Sequence, residues 1–501
     1  MNRKITLSKS TFVKVATKCE LSGYLLFNRP DLREPATGHS KAIMESGTRV
    51  GLIAQNLFRD GIDISRGGRV WGAEQILETK KSLSTENHIF YEAAFETPDG
   101  LHNCRVDILV RMRGITKIIE VKSSTSFKMP EHLYDIAYQY WVLKQSGYEG
   151  KLEAHICYLN KEYVAGEHLD IDELFIVENV TQRVINCQPL IERKLAEFYK
   201  TVYKKSAPQV TMGGHCTKPY PCEFLKHCRK KLPEYSVFDI GSLRKSRAQN
   251  LLEKGITEPD QIPKNEKLNQ AQWVEVQAAI EKKPTVKKKA ISKILKEFAL
   301  EENVFFIDFE SFMPPIPVYQ GTRPYQHLCF QFCVIYKPKN SVEFQVREFL
   351  AAHDKDPRRA FIENFLKATE GEGSLIVYNE SFERPRLQEL ALEFEDLAEE
   401  IEERINRIKD LMVPFEKRYY YSPLQKGKYS IKVVLPILVP NMSYKSLEIQ
   451  DGEMAMEAFK NLGIMQPDKQ IITRRNLKKY CEQDVRSMIE IIGALQKLCE
   501  N

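Results

Sequence analysis

The segment Val304-Phe305-Phe306-Ile307-Asp308-Phe309-Glu310 constrains this chain more than any other. Its apolar residues are large and β-prone, so it reads as a strand buried on both faces. Side chains alternate along a strand, which places Val304, Phe306, Asp308 and Glu310 on one face and Phe305, Ile307 and Phe309 on the other. Two carboxylates therefore emerge from one side of a buried strand. Asp is disfavoured in strands, and a buried carboxylate is costly unless a cation offsets it. Any fold built on this strand has to bring counter-charge to Asp308 and Glu310.

Further acids with regular spacing follow. Apolar strand-like runs at 328–336, 344–350 and 374–379 are interleaved with helical patterns, an α/β order. Glu383 falls at the turn where the last of these strands gives way to a helix. A final helix over 476–499 puts Tyr480 and Asp484 one turn apart, with Met488, Ile491 and Leu495 continuing the packed stripe. Taken together, D-x-E on a strand, N-x-x-F-E at Asn379–Glu383 and Y-x3-D at Tyr480–Asp484 resemble the tyrosine-bearing DEDD exonucleases of RNase H-like fold. The resemblance implies that Asp308, Glu310 and Asp484 hold one Mg²⁺, that Asp308 and Glu383 help hold a second, and that Tyr480 orients the attacking water. It implies 3′-to-5′ removal of nucleotides, with Glu383 standing where the family usually has Asp.

A second carboxylate group lies in the first half of the chain. Residues 107–112 and 116–122 are β-type runs separated by Arg113-Gly114-Ile115, which predicts a hairpin. Glu120 and Lys122 share one strand face, and Asp107 sits near the start of the partner strand. Carboxylates that hold Mg²⁺, with a lysine beside them, suit phosphodiester hydrolysis, although a solvated hairpin face would show the same alternation. The next helix, 131–147, places Asp135 and Gln139 one turn apart, flanked by Tyr138 and Tyr140. Asp107, Glu120-Val121-Lys122, Gln139 and Tyr140 resemble the PD-(D/E)XK nucleases of RecB and CRISPR-associated exonuclease type. The likeness implies Mg²⁺- or Mn²⁺-dependent cleavage of DNA. That family often carries a His on an early helix, and Gly47-Thr48-Arg49-Val50-Gly51 has none, which leaves Gln55 or Glu45 to take its place.

Eleven cysteines are spread over the chain, and three of them, Cys216, Cys222 and Cys228, stand in a C-x5-C-x5-C run with His215 and His227 beside it. Such local density points to a metal rather than to unrelated thiols. Cys19 is the leading fourth ligand. RecB-like nucleases with iron–sulfur clusters carry one early and three late cysteines, and this resemblance implies a structural 4Fe-4S centre on Cys19, Cys216, Cys222 and Cys228. A Cys3His zinc site using His215 or His227 is the alternative.

At 501 residues the chain exceeds what one core usually supports. Pattern changes divide it into a RecB-like region over 1–235, a helical connector over 236–300 faintly resembling helix-hairpin-helix elements, and an RNase H-like region over 301–501. A net charge of +6 permits a polyanionic partner without requiring one. Lys282-Lys283, Lys287-Lys288-Lys289, Lys293 and Lys296 form a basic run that either contacts phosphates or is a solvated helix face. No apolar run reaches membrane-spanning length, and the basic start has no signal-peptide core, so a soluble, cytoplasmic protein is expected. The sequence expectation is a multidomain α/β nuclease with two active sites acting on DNA strands or ends. The competing expectations are an RNA-directed exonuclease and a nucleic-acid-binding scaffold with degenerate sites.

Overall fold

A computed structural model of the protein describes residues 4–35, 38–65, 72–84 and 88–500. The chain is mixed α/β and divides into two compact units. The first comprises 1–232 with 314–326, and the second comprises 233–313 with 327–501. The segment expected as a connector, 236–300, thus belongs to the second unit. Residues 314–326 leave the second region of sequence and pack in the first unit, where the Ala165 amide donates to the Thr322 carbonyl at 2.9 Å and Ile316 joins the core. Among the described residues no helix is long and apolar enough to cross a membrane.

The first unit is organised on a sheet in which Ile62–Asp63, Ile89–Glu96, His102–Met112, Ile115–Lys122, Lys151–Leu159 and Phe175–Asn179 are neighbours in that order, while Leu7–Ser8 pairs in parallel with His102–Asn103. The expected hairpin forms with Arg113 and Gly114 as its two turn residues, at φ of 50° and 78°. Positive φ at both positions matches the twist of the flanking strands, so the turn fixes a register in which Ile108 faces Ile119. Asp107 and Glu120 follow directly where this pairing ends, and the Val121 amide donates to the Asp107 carboxylate there. The helix Glu131–Gln145 covers this face, burying Leu133, Ile136, Tyr138, Val142 and Leu143, and it carries Asp135 and Gln139 to the same place.

In the second unit the strand Val304–Phe312 is central in a five-stranded sheet. It pairs antiparallel with Leu328–Lys337, which pairs antiparallel with Gln345–Leu350, and in parallel with Ser374–Val377, which pairs in parallel with Ile408–Asp410. Phe305, Ile307 and Phe309 are buried with Phe332, Phe361, Phe365 and Leu387 in one core. The alternation read from sequence therefore sends the aromatic face into the core and the acids to the opposite face. There the C-terminal helix packs, running from Pro467 to Glu500 and so starting nine residues before the expected boundary. Tyr420 and Tyr421 are buried, and Arg418 between the basic and tyrosine residues pairs with fully buried Glu275 at 2.7 Å. The Lys417–Tyr421 stretch is therefore structural packing over much of its length.

Candidate active sites

In the second unit three elements converge on one buried acidic cluster. Asp308 and Glu310 come from the central strand, Glu383 from the first turn of the helix Glu380–Glu393, and Asp484 from the C-terminal helix. Asp308, Glu310 and Asp484 have ligand oxygens all within 4.8 Å of one another, the only three-residue set of this kind among the described residues. Glu383 is buried, and its Oε2 has no hydrogen-bond partner. No donor reaches Glu310 among the described residues, while Asp308 receives the Cys481 thiol at 3.3 Å. Burial, and then mutual repulsion, pushes Asp308, Glu310 and Glu383 well above ordinary carboxylate values; burial also raises Asp484.

The turn that presents Glu383 is built by Asp410, which the sequence left unplaced. Its carboxylate accepts the amides of Asn379 at 2.9 Å, Glu380 at 3.1 Å and Met412 at 2.7 Å. Those bonds fix Asn379 at φ 83°, a left-handed conformation that Asn tolerates better than most residues. Asp451, also unplaced from sequence, caps the helix Gly452–Lys460 through the Met454 amide.

Tyr480 is buried beside Asp484 as expected, but two neighbours were not foreseen. The Lys432 ammonium donates to the Tyr480 hydroxyl at 3.0 Å and stands over the Tyr480 and Tyr444 rings at 5.0 and 5.4 Å. The Tyr444 hydroxyl donates to Asp484 and lies 3.2 Å from Ser487 Oγ. Lys432 is a lone cation within the apolar run Ile431-Lys432-Val433-Val434-Leu435, a signal that sequence reasoning had available.

The first-unit site is assembled differently. Asp107, Glu120 and Lys122 meet, Asp135 and Gln139 join them from the next helix, and Lys9 comes in from the start of the helix Lys9–Thr17. Lys122 Nζ lies 2.7 Å from Glu120 Oε1 and also bonds Asp135. Gln139 Nε2 donates to Glu120 Oε2 at 2.7 Å, and the Val121 amide donates to Asp107 Oδ2 at 2.8 Å. Lys9 Nζ reaches Asp107 Oδ1 at 3.2 Å and the two Glu120 oxygens at 3.1 and 2.8 Å. Burial pushes Asp107 up to about 7, with Glu120 adding to the rise and Lys9 opposing it. Burial acts upward on Glu120 too, but Lys122 and Lys9 outweigh it and hold that carboxyl far below its ordinary range.

A cavity of about 430 Å³ adjoins Asp107 and is lined by Gln55, Asp63 and Glu92 among others. Of the two residues considered in place of the missing His, Gln55 thus faces the site, whereas Glu45 is exposed on the helix surface. Glu92 stands in the register position opposite Asp107 with φ 56°, unusual for a strand residue with a side chain, and burial raises its carboxyl. Sequence alternation alone did not mark it.

Cys19, Cys222 and Cys228 pack with Leu21, Leu25 and Phe224, and Cys216 is buried. Burial pushes Cys19 and Cys228 up to about 11, and the charges of neighbouring thiols add to each rise. The sulfurs do not draw together as tightly as the acids of the second unit. The Gly213 amide donates to Cys216 Sγ at 3.5 Å, and His215 Nε2 is buried without a partner. Lys18 joins the early and late segments by donating to the carbonyls of Lys218, at 2.9 Å, and Tyr220.

Residues 305–430 match the model of a domain of unknown function, DUF2779. The matched stretch holds Asp308, Glu310 and Glu383 but ends before Lys432, Tyr480 and Asp484. The chain is 26% identical over 219 residues to an uncharacterized protein, MG366, of Mycoplasma genitalium, covering 40% of this chain and 33% of the relative. It is 33% identical over 151 residues to the uncharacterized protein UU173 of Ureaplasma parvum, covering 26% of this chain and 21% of the relative. The chain therefore spans a third or less of the length of these curated relatives. A crystal structure titled SSO0001 aligns with 46% of this chain and 90% of its own, at 14% identity and a TM-score of 0.24. The domain match and the Mycoplasma and Ureaplasma relatives support an uncharacterised family.

Proposed function

We propose that this chain is a metal-dependent nuclease with two active sites, hydrolysing phosphodiester bonds of DNA at single strands or ends. One observation carries the reading. Asp308, Glu310 and Asp484 converge within 4.8 Å while Glu383 keeps a buried carboxylate oxygen without any partner. Buried carboxylates at such spacing cannot all ionise without a cation, and an all-oxygen donor set suits Mg²⁺ or Mn²⁺. Divalent ions held by Asp308, Glu310, Glu383 and Asp484 would supply phosphate neutralisation and a more acidic water. The chain's own part is to hold those oxygens rigidly on a strand and two helices, and to orient the Tyr480 hydroxyl between Lys432 and Asp484. At the first site Asp107 and Glu120 would hold the ion, with Lys122 and Gln139 fixing Glu120.

The four cysteines would supply the donor set of a structural 4Fe-4S centre, since Cys19 of the early segment packs in one cluster with Cys222 and Cys228 of the late one and soft thiolates are the ligands such a centre takes. The orphaned His215 Nε2 favours the zinc alternative. A visible spectrum of freshly purified protein separates the two, since only the iron–sulfur form is brown. Exposed Lys288, Lys289, Lys293 and Lys296 on the helix Lys288–Glu297 offer a basic surface for a polyanion.

The test is degradation of 5′-labelled, 3′-labelled, end-blocked and circular DNA and of labelled RNA, with Mg²⁺ or Mn²⁺. Glu120→Ala and Asp308→Ala should each remove one activity, and the double variant should remove all of it. Unchanged degradation in both single variants would overturn the enzyme reading in favour of a binding scaffold, and a preference for the RNA would transfer the substrate assignment to RNA.

A further inference from the structure

Every carboxylate oxygen of Asp107 and Glu120 accepts a hydrogen bond, and among the described residues Lys9 is the one donor that touches both groups. Its three contacts, between 2.8 and 3.2 Å, place a single positive charge between the two acids. This placement is built from several directions. Leu7–Ser8 pairs in parallel with His102–Asn103 on the strand that carries Asp107. Buried Tyr138 donates to the Leu7 carbonyl at 2.7 Å, and Ser8 caps the helix by accepting the Thr11 amide at 3.3 Å. Lys9, the first helical residue, is thereby held with its ammonium at the acids.

We infer that Lys9 is the resident cation of the first site: it occupies the position a divalent ion needs between Asp107 and Glu120, withdraws when the ion binds, and then meets the substrate phosphate as a second lysine beside Lys122. The inference rests on the metal-dependent reading of this site. A divalent ion has to take oxygens from Asp107 and Glu120 together. The bonds from Val121, Lys122 and Gln139 each engage a single oxygen of one acid, which keeps a second lone pair for an ion, whereas the Lys9 ammonium occupies the position shared by both acids. Lysine suits the exchange, because its charge is a point on a flexible stem that can turn aside without moving the helix. Loss of Lys9 contact is compensated by a stronger charge at the same place, and the adjoining cavity beside Gln55 and Glu92 gives room for the released side chain.

The experiment uses the full chain carrying Asp308→Asn and Asp484→Asn, so that Mn²⁺ binding followed by calorimetry reports the first site. Lys9→Met should bind Mn²⁺ at least tenfold tighter than its parent and cleave end-labelled DNA at least tenfold more slowly, while Lys9→Arg, which keeps the charge, should stay near the parental affinity. Unchanged or weaker Mn²⁺ binding by a folded Lys9→Met protein overturns the inference. If Glu120→Gln leaves the parent's Mn²⁺ binding unchanged, the metal reading of this site fails and the inference falls with it. A measurement that needs no Lys9 variant guards against misfolding: acetylation of Lys9, read by mass spectrometry, should accelerate severalfold when Mn²⁺ is added. Lys9 reactivity that ignores Mn²⁺ also overturns the inference.

Discussion

At the first site Glu120 accepts from Lys9, Lys122 and Gln139, whereas at the second Glu310 accepts from no donor among the described residues. Both sites gather acids from distant parts of the chain onto a sheet face. They differ in where the opposing charge comes from. The first unit supplies two lysines in direct contact with its acids, so its cluster is internally compensated. The second supplies one lysine, Lys432, whose hydrogen bond goes to Tyr480 rather than to a carboxylate. A compensated cluster supports its own fold, and an uncompensated one is tolerated for something it binds. The two sites should therefore respond in opposite directions to the same chemical change.

The largest contrast is expected from neutralising one acid at each site in metal-free protein. Glu120→Gln leaves Lys9 and Lys122 short of a counter-charge and should destabilise the first unit by about 3–5 kcal/mol, the range for breaking a buried pair. Glu310→Gln relieves repulsion and should stabilise the second unit. Chemical denaturation with a probe in each unit reads both, and a loss of stability in Glu310→Gln would refute the uncompensated picture.

Acidity gives the next contrast. Burial and repulsion raise Asp308, Glu310 and Glu383 above their ordinary values near 3.8 and 4.5. A folded state with raised carboxyl values binds more protons than the unfolded chain, so stability is greatest at low pH and is lost as pH rises. The loss is up to about 1.4 kcal/mol per pH unit for each carboxylate forced to ionise. Metal-free protein should thus show the second unit weakening as pH rises above the ordinary carboxylate range, and saturating Mn²⁺ should remove the slope. Glu120 has the opposite sign: its lowered value contributes stability above the ordinary carboxylate range that is lost on acidification. Asp107, raised by burial to about 7, shares the sign of the second unit, so the contrast is read at Glu120 itself: a Glu120→Gln profile that loses as much stability on acidification as the parent's would erase it.

A smaller effect tests the tyrosines. Tyr444→Phe removes a buried donor to Asp484, which should cost about 1 kcal/mol in metal-free protein and a few-fold in turnover. Tyr480→Phe should slow turnover more than Tyr444→Phe while leaving Mn²⁺ affinity closer to parental. The reverse order would assign the orienting role to Tyr444.

Much of each site was legible because alternation and helical spacing decide which neighbours share a face. Asp308 with Glu310, Glu120 with Lys122, and Tyr480 with Asp484 all follow from local periodicity. The turn at Arg113-Gly114 was legible too, since few sequences form so tight a hairpin. Asp410 was not, because its work is done on the amides of residues thirty positions earlier. Glu92 escaped because its position depends on a left-handed backbone inside a strand, which no residue preference predicts for Glu.

Sequence by itself determined which side chains could act together within one strand or helix, and hence the acidic pairs and the α/β order of elements. Tertiary structure alone decided which pair receives a cation from the chain. Lys9 lies 98 residues from Asp107 and 111 from Glu120, and it reaches them only because a two-residue strand docks its helix against the sheet. Periodicity is a property of the local backbone, whereas charge compensation is a property of distance in space, and folding is what converts one into the other.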